Sequence, residues 1–248
     1  MELLRASLSQ VTIPEAVGFG VWAAVMIAVP ILRWVYGTGA ERVGISLGVI
    51  AQVSLVLLVL SEHLPPGRVL LTAAAVPFLG WLAEFVGSRT GFPFGDYEYT
   101  DVLKPQIGRV PVIIPLAWLM MMPSAWTVAA LITGGENRLI TALVAGAAFT
   151  AWDFFLDPQM VNWNFWQWNR KGGYFGIPWV NFLGWFLVSS AISALLIPEG
   201  AQQMRVLYLV FILTWLLQGI GEFFFWKLRG PAVAGAFAMG LFILLPLL

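Results

Sequence analysis

The chain has 248 residues, of which 60% are hydrophobic and only 10% are charged, and its formal net charge is zero. Soluble domains carry roughly 25% charged residues, so this composition excludes an ordinary soluble domain. The absence of cysteine excludes disulfides, iron–sulfur clusters and thiolate metal sites. We expect no nucleic-acid partner, since no basic tract is present.

Apolar runs long enough to cross a bilayer, which takes roughly 20 residues, recur along the whole chain. Residues 1–14 lack the short apolar region and cleavage site of a secretory signal, so we expect them to belong to the mature chain. We predict an all-α fold, a polytopic transmembrane helical bundle of about 7–8 spans that forms a single integral membrane domain over residues 1–248. The predicted spans are about Glu15–Val35, Val43–Leu60, Val69–Gly87, Val110–Thr133, Leu139–Leu156, Ile177–Ile197, Arg205–Phe225 and Pro231–Leu248.

The basic residues predict an orientation in the membrane. If the connections between eight spans alternate sides, nine of the 13 Lys and Arg residues share one side. Because positive loops stay inside, we expect a multi-pass protein of the cell membrane with these polar loops in the cytoplasm and both termini outside. The four basic residues on the other side are Arg5, Arg68, Arg138 and Arg205.

Four carboxylates lie near the ends of spans that approach the predicted cytoplasmic side: Glu84, Asp153, Asp157 and Glu222. Charged groups within spans are costly, so they face a bundle interior or a wet cavity and mark function. Each alone is as well explained as an interfacial residue or a helix end. Their convergence on one side predicts a shared site.

The segment Gly91–Asp101, with the sequence GFPFGDYEYTD, follows Glu84. Its glycines and prolines exclude a regular helix, and its aromatic residues are too apolar for a solvated loop. We therefore predict a loop that folds back against the bundle and lines a cavity. Asp96, Tyr97 and Tyr99 are its candidate site residues. A simple interfacial aromatic belt would explain the tyrosines but not the acidic residues.

The segment AWDFFLDP, residues 151–158, places Asp153 and Asp157 four positions apart on one helix face. Two carboxylates held close together in a low dielectric cannot both ionise cheaply, so one keeps its proton and can act as a general acid. The competing use of this spacing is to chelate a magnesium diphosphate, as in membrane prenyltransferases.

Five tryptophans lie within Trp163–Trp185. We interpret Trp163 and Trp166 as anchors at the lipid headgroups. Trp168 and Tyr174 are candidates to line a pocket, because aromatic faces stabilise cations without reacting with them. Asn181 lies inside a span and needs a hydrogen-bond partner there. The single histidine, His63, gives no basis for a metal site, and we predict none.

Glu84 with GFPFGDYEYTD, then RVPVIIPLAWLMM, DFFLDP and WQWNRKGGYFGIPWVNFLGW resemble, in order and spacing, the membrane carotenoid biosynthesis family. This family includes carotenoid hydratases such as bisanhydrobacterioruberin hydratase and the cyanobacterial γ-carotene hydratase. The resemblance covers about residues 81–185. It implies addition of water across the terminal C=C bond of an acyclic carotenoid, without a cofactor. Membrane lipid, the carotenoid and other carotenoid biosynthesis enzymes are the implied partners.

That reaction protonates the alkene at its less substituted carbon and leaves a tertiary carbocation. We hypothesise that Asp153, Asp157 or Asp96 is the general acid and that Glu84 positions and deprotonates the water. The residues expected to bind the substrate end group are Tyr97, Tyr99, Trp118, Trp152, Trp168, Tyr174 and Asn181.

Three alternatives stay open. A membrane prenyltransferase would use the aspartate pair for magnesium, with Arg89, Lys104 and Arg109 as its nearest candidate phosphate ligands. A carotene cyclase would protonate the same end group but exclude water. A transporter or a carotenoid-binding scaffold is the non-enzymatic alternative, although no duplicated halves of the transporter kind are evident.

Overall fold

The computed structural model describes residues 2–248 and is an α-helical bundle. Eight helices in this range are long and apolar enough to cross a membrane, which confirms the predicted fold class. A short helix, α1 (Glu2–Ser9), precedes them. The long helices are α2 (Ile13–Tyr36), α3 (Thr38–His63), α4 (Pro66–Thr90), α5 (Ile113–Thr133), α6 (Arg138–Asn162), α7 (Trp179–Leu196), α8 (Arg205–Ile220), which continues as a π-helical turn (Gly221–Phe225), and α9 (Arg229–Leu244).

Local chemistry fixes where the first span begins. The Thr12 hydroxyl accepts a hydrogen bond from the Glu15 backbone N–H, and the Glu15 carboxylate accepts one from the Thr12 N–H. This reciprocal capping box pairs two backbone donors that a helix start leaves free. The helix ends at Gly37, whose φ of 82° only glycine adopts easily.

The helices α5 and α6 form the centre of the bundle. Most of the α5 residues are buried, and this helix packs against α3, α4, α6 and α8. By contrast, only a minority of the residues of α2 and α9 are buried, so these helices lie at the periphery, where lipid would cover them. The carboxylates predicted on α6 therefore point from a central helix rather than from the rim.

Two connections are not helical, and they meet. Strand β1 (Tyr97–Tyr99) pairs antiparallel with β4 (Trp166–Trp168), and a second small sheet joins β2 (Gln106–Ile107) to β3 (Val110–Pro111). The first connection folds back against the bundle as predicted, since Phe94 and Tyr97 are buried. A strand pair joining residues so far apart in sequence was not predicted.

Close packing of this connection depends on a glycine of α7. A Cβ atom at Gly184 would lie 2.6 Å from the Pro93 carbonyl oxygen and 2.9 Å from the Phe94 ring. We expect Gly184→Ala to destabilise the protein by about 1–3 kcal/mol, because overpacking shifts the backbone. Thermal unfolding in detergent measures this loss of stability. The control is Gly20→Ala, where nothing lies within 4 Å of the added atom, and a Gly184→Ala protein as stable as that control would contradict the prediction.

Candidate functional site

The strand pair β1–β4 places four aromatic side chains on one face. Tyr97 lies opposite Trp168 and Tyr99 opposite Trp166, with Glu98 and Gln167 between them. Side chains alternate across a strand, so the aromatic residues share one side and the two polar residues share the other. Glu98 and Gln167 are exposed, whereas Tyr97 and Trp166 are buried. The aromatic face therefore closes over the bundle.

Glu84 of α4 lies beneath this face and is only 3% exposed. Its Oε2 accepts hydrogen bonds from the Tyr97 hydroxyl and, at 2.8 Å, from the Tyr99 hydroxyl. Its Oε1 accepts one at 3.3 Å from Nε1 of Trp118 on α5. Hydrogen bonds to a carboxylate stabilise the ionised form. Glu84 is thus surrounded by donors that stabilise a buried carboxylate.

Two glycines on the same face of α4 make room for the aromatic rings around Glu84. A Cβ atom at Gly80 would lie 2.7 Å from the Trp118 ring, and one at Gly87 would lie 2.6 Å from the Phe94 ring. Gly80 and Gly87 lie four residues before and three residues after Glu84, so all three share one helix face. This spacing lets aromatic rings approach the carboxylate from both sides.

The two tyrosines keep their protons. Burial raises the pKa of Tyr97 well above its usual range, and the neighbouring Glu84 charge raises it further. The same two causes raise the pKa of Tyr99 well above its usual range. Both hydroxyls are therefore donors to Glu84 at physiological pH.

The two aspartates of α6, Asp153 and Asp157, accept hydrogen bonds from the same side-chain amide, that of Asn181. The Asn181 side-chain nitrogen donates to Asp153 Oδ2 at 2.9 Å and also to Asp157 Oδ2. Trp166 Nε1 donates to the other Asp157 oxygen at 3.0 Å. All three polar side chains are almost fully buried, and Asp153 Oδ1 has no partner among the described residues. Two carboxylates held this close would repel each other if both were ionised, so the pair shares a proton.

Glu84 and Asp157 line one small cavity of about 30 Å³. That volume has room for about one or two water molecules. Asn181 is the third polar residue that lines this cavity. Asp153 contacts Asn181 but does not itself line the cavity. The remaining lining is apolar or aromatic: Phe94, Tyr97, Tyr99, Ile114, Ala117, Trp118, Leu156, Trp166, Trp168 and Trp185.

A much larger cavity of about 300 Å³ adjoins the small one. Residues of α2, α3, α5, α6 and α8 form its largely apolar wall. The two cavities share four wall residues, Ile114, Ala117, Leu156 and Trp166. The large apolar cavity therefore lies next to the small cavity that Glu84 and Asp157 line.

Most of the predicted site residues are brought together, although not all in one role. Glu84, Asp157, Tyr97, Tyr99, Trp118, Trp168 and Asn181 line the small cavity, whereas Trp152 lines the large one. Asn181, predicted to bind substrate, lines the small cavity and also donates to both aspartates.

Three acidic or aromatic candidates lie elsewhere. Asp96 is exposed and accepts a hydrogen bond from Asn169 at 2.9 Å. Tyr174 donates to the Phe154 carbonyl and packs with Ile177 and Phe182 in a separate cluster. Glu222 is buried in the π-helical turn and lines neither cavity. Three of the four predicted carboxylates therefore converge.

Trp166 and Trp185 line the small cavity, although the sequence did not predict them there. Trp166 was interpreted as a headgroup anchor, yet it is buried and donates to Asp157. Trp185 stacks on Trp118 with ring centroids 5.0 Å apart. The strict alternation of tryptophan and glutamine in residues 166–168 was the available signal for an inward-facing strand.

Fold and site together define a polytopic α-helical membrane protein in which buried carboxyl groups line a small cavity beside a larger apolar one. Residues 44–243 match the sequence profile of the family described as "Carotenoid biosynthesis protein". This match covers most of the chain, which therefore belongs to the carotenoid biosynthesis protein family, as the sequence motifs predicted.

The chain is also similar to the bisanhydrobacterioruberin hydratase of Haloarcula japonica. The two are 30% identical over 133 residues, which are 52% of this chain and 45% of that protein. The chain thus spans about half the length of the curated relative it matches. No solved structure is significantly similar to the chain.

Proposed function

We propose that this protein is a carotenoid hydratase that adds water across the terminal C=C bond of an acyclic carotenoid end group. The proposal is carried by the small cavity, where Glu84 and Asp157 face a water-sized space beside a large apolar cavity. The similarity to a protein named as a hydratase supports the same reaction.

The proposed reaction uses the carboxyl groups in opposite roles. Asp157, which shares a proton with Asp153, donates it to the less substituted alkene carbon, and the π electrons form the new C–H bond. The tertiary carbocation then accepts the oxygen of a water molecule, while Glu84 takes a proton from that water. Return of this proton from Glu84 to the aspartate pair, through water in the cavity, resets the site.

The aromatic wall suits the cationic intermediate. Trp118 stacks on Trp185, and its ring centroid lies 4.9 Å from that of Phe149. Ring faces attract positive charge. These rings carry no nucleophilic atom that would trap the cation, so water is the partner that the site supplies.

Arg89, Lys104 and Arg109 lie away from the aspartate pair, which favours hydration over prenyl transfer. The Arg89 guanidinium donates to the backbone carbonyls of Phe85 and Gly108, and Lys104 pairs with Asp101. None of the three basic residues lines either cavity. A diphosphate would need such cations beside the aspartates.

In this proposal the protein lies in the cell membrane with the carboxylate site toward the cytoplasm. The distribution of basic residues supports that orientation. The two connections that form the strand pair lie on one side of the bundle, because the two spans α5 and α6 separate them. Enzymes that make the acyclic carotenoid would be its working partners.

Expression in cells that accumulate an acyclic carotenoid tests the reaction. We expect a pigment heavier by one water molecule, whose oxygen carries the label when the cells grow in ¹⁸O-water. Repeating the reaction with purified protein in lipid nanodiscs, without added cofactor, is expected to give the same product. An unchanged pigment, or oxygen that derives from dioxygen, would refute the proposal.

A further inference from the structure

The large cavity reaches the outer surface of the bundle along the seam between α2 and α8. Ile27 and Ile31 of α2 line this cavity, as do Ile220 of α8 and Phe225 of its π-helical turn. All four side chains are also between 42% and 52% exposed. The helix α2 packs closely against α3 but makes few contacts with α8. Since both helices are candidate spans, this apolar opening faces the hydrocarbon of the bilayer.

Each side of the seam carries an irregularity in its helix. Pro30 of α2 lacks a backbone N–H, so it removes one hydrogen bond from the helix and permits a kink. On the other side, α8 continues as the π-helical turn Gly221–Phe225. Such turns are rare and occur mostly at functional sites. Pro30, Gly221 and Phe225 all line the cavity, so both flanking helices can bend beside the opening.

A buried carboxylate joins the two sides of the seam. Glu41, near the start of α3, is only 3% exposed. Its Oε2 accepts a hydrogen bond at 2.8 Å from Nη1 of Arg33, which belongs to the last turn of α2. Its Oε1 accepts one at 2.9 Å from Nε1 of Trp226, which directly follows the π-helical turn. The Trp226–Glu41 hydrogen bond therefore ties the end of α8 to the α2–α3 pair.

The ring of Trp226 is itself part of the cavity wall. It packs edge to face with Trp163, with ring centroids 5.3 Å apart, and both rings line the cavity. A Cβ atom at Gly221 would lie 2.2 Å from the Trp226 ring, so glycine is needed there for the ring to take this position. Movement of Trp226 away from Glu41 would remove one wall of the cavity at the seam.

We propose that the seam between α2 and α8 is a lateral entrance through which a long hydrocarbon chain passes from the bilayer into the large cavity, and that the Trp226–Glu41 hydrogen bond holds this entrance closed. The entrance concerns access to the cavity rather than the chemistry at Glu84 and Asp157, so it goes beyond the proposed function.

A single thiol inside the cavity tests the entrance. The chain has no cysteine, and Thr214 of α8 lines the cavity and is 6% exposed. Thr214→Cys protein in lipid nanodiscs is treated with a maleimide on a long alkyl chain dissolved in the bilayer, and labelling is followed by mass spectrometry. Adding Trp226→Phe, which keeps a ring but removes the donor, should speed labelling at least about tenfold, the worth of a hydrogen bond to a charged group.

Trp215→Phe is the matched control in the same Thr214→Cys protein. Trp215 also donates from its ring, at 2.9 Å to the Ala236 carbonyl, but it lines neither cavity. Labelling should keep its original rate in this variant. Arg33→Gln removes the ion pair on the other oxygen of Glu41 and should also speed labelling, so it carries the test if thermal unfolding shows that Trp226→Phe is not folded.

A charged maleimide that cannot enter the bilayer separates a lateral entrance from an aqueous one. We expect Trp226→Phe to leave labelling by this reagent unchanged. Equal acceleration for both reagents, equal acceleration in Trp215→Phe, or no acceleration in either the Trp226 or the Arg33 variant would overturn the inference. Labelling needs neither carotenoid nor turnover, so a protein that forms no hydrated product would refute the proposed function and leave the entrance standing.

Discussion

Glu84→Gln is expected to lower the rate of hydration by about 10²–10⁴-fold, the range that a positioned general base contributes. The amide has nearly the same shape as the carboxylate but cannot take a proton from water. Tyr99 and Trp118, which donate to the carboxylate in the native protein, have no charge to stabilise in the variant. The rate is measured as hydrated carotenoid formed by purified protein in nanodiscs.

The control for this variant is Glu98→Gln. Glu98 lies on β1 between the two tyrosines that contact Glu84, but it is exposed and faces away from the cavity. We expect full activity from it. Carotenoid binding by both variants, followed by tryptophan quenching, separates lost chemistry from lost binding. A Glu84→Gln protein with more than about a tenth of the native rate would exclude Glu84 as the base.

Asp157→Asn is expected to slow hydration by at least about 10²-fold, and by more than Asp153→Asn does. The ranking follows from geometry, because Asp157 lines the small cavity and Asp153 lies behind it. In the proposed mechanism, Asp153 acts through the proton that it shares with Asp157 and through Asn181, which contacts both aspartates. The double variant should be no slower than Asp157→Asn alone, since residues that act as a unit are not additive.

Asp96→Asn provides the matched control, since Asp96 is an exposed aspartate of the connection that carries β1. Activity should be unchanged in this variant. Rates of all four proteins are compared at one pH, and their thermal unfolding shows whether each is folded. A slower Asp153→Asn than Asp157→Asn would reverse the assigned roles, and a large loss in Asp96→Asn would place the acid outside the cavity.

The fold was predictable because each span buries its own backbone hydrogen bonds, so hydropathy alone locates it. The predicted span Arg205–Phe225 agrees with α8 and its π-helical turn. The strand pair was not predictable in the same way. Its partners, Tyr97–Tyr99 and Trp166–Trp168, are brought together by the intervening helices, and no local pattern specifies that meeting.

The site residues also divide into those that local sequence predicts and those that depend on how distant segments meet. Asp153 and Asp157 were predictable as a pair, because helix geometry alone puts positions four apart on one face. The position of Asp96 depends on how a glycine- and proline-rich connection turns, and there the chain directs Asp96 outward and Tyr97 inward. The role of Trp166 could not be predicted, because two different roles share one sequence pattern. A tryptophan near a membrane surface has the same sequence pattern whether it anchors the protein in lipid or donates to a buried aspartate.

The arrangement of the cavities bears on how a symmetric carotenoid would be processed. Under the proposed function, cavities of about 300 Å³ and 30 Å³ would have room for one terminus of a long polyene, and the rest of the polyene would stay in the surrounding lipid. The two termini of such a molecule would therefore react in separate encounters. Between them, the singly modified pigment would have to leave the protein, turn end for end in the bilayer and enter again, so the proposed reaction would be distributive.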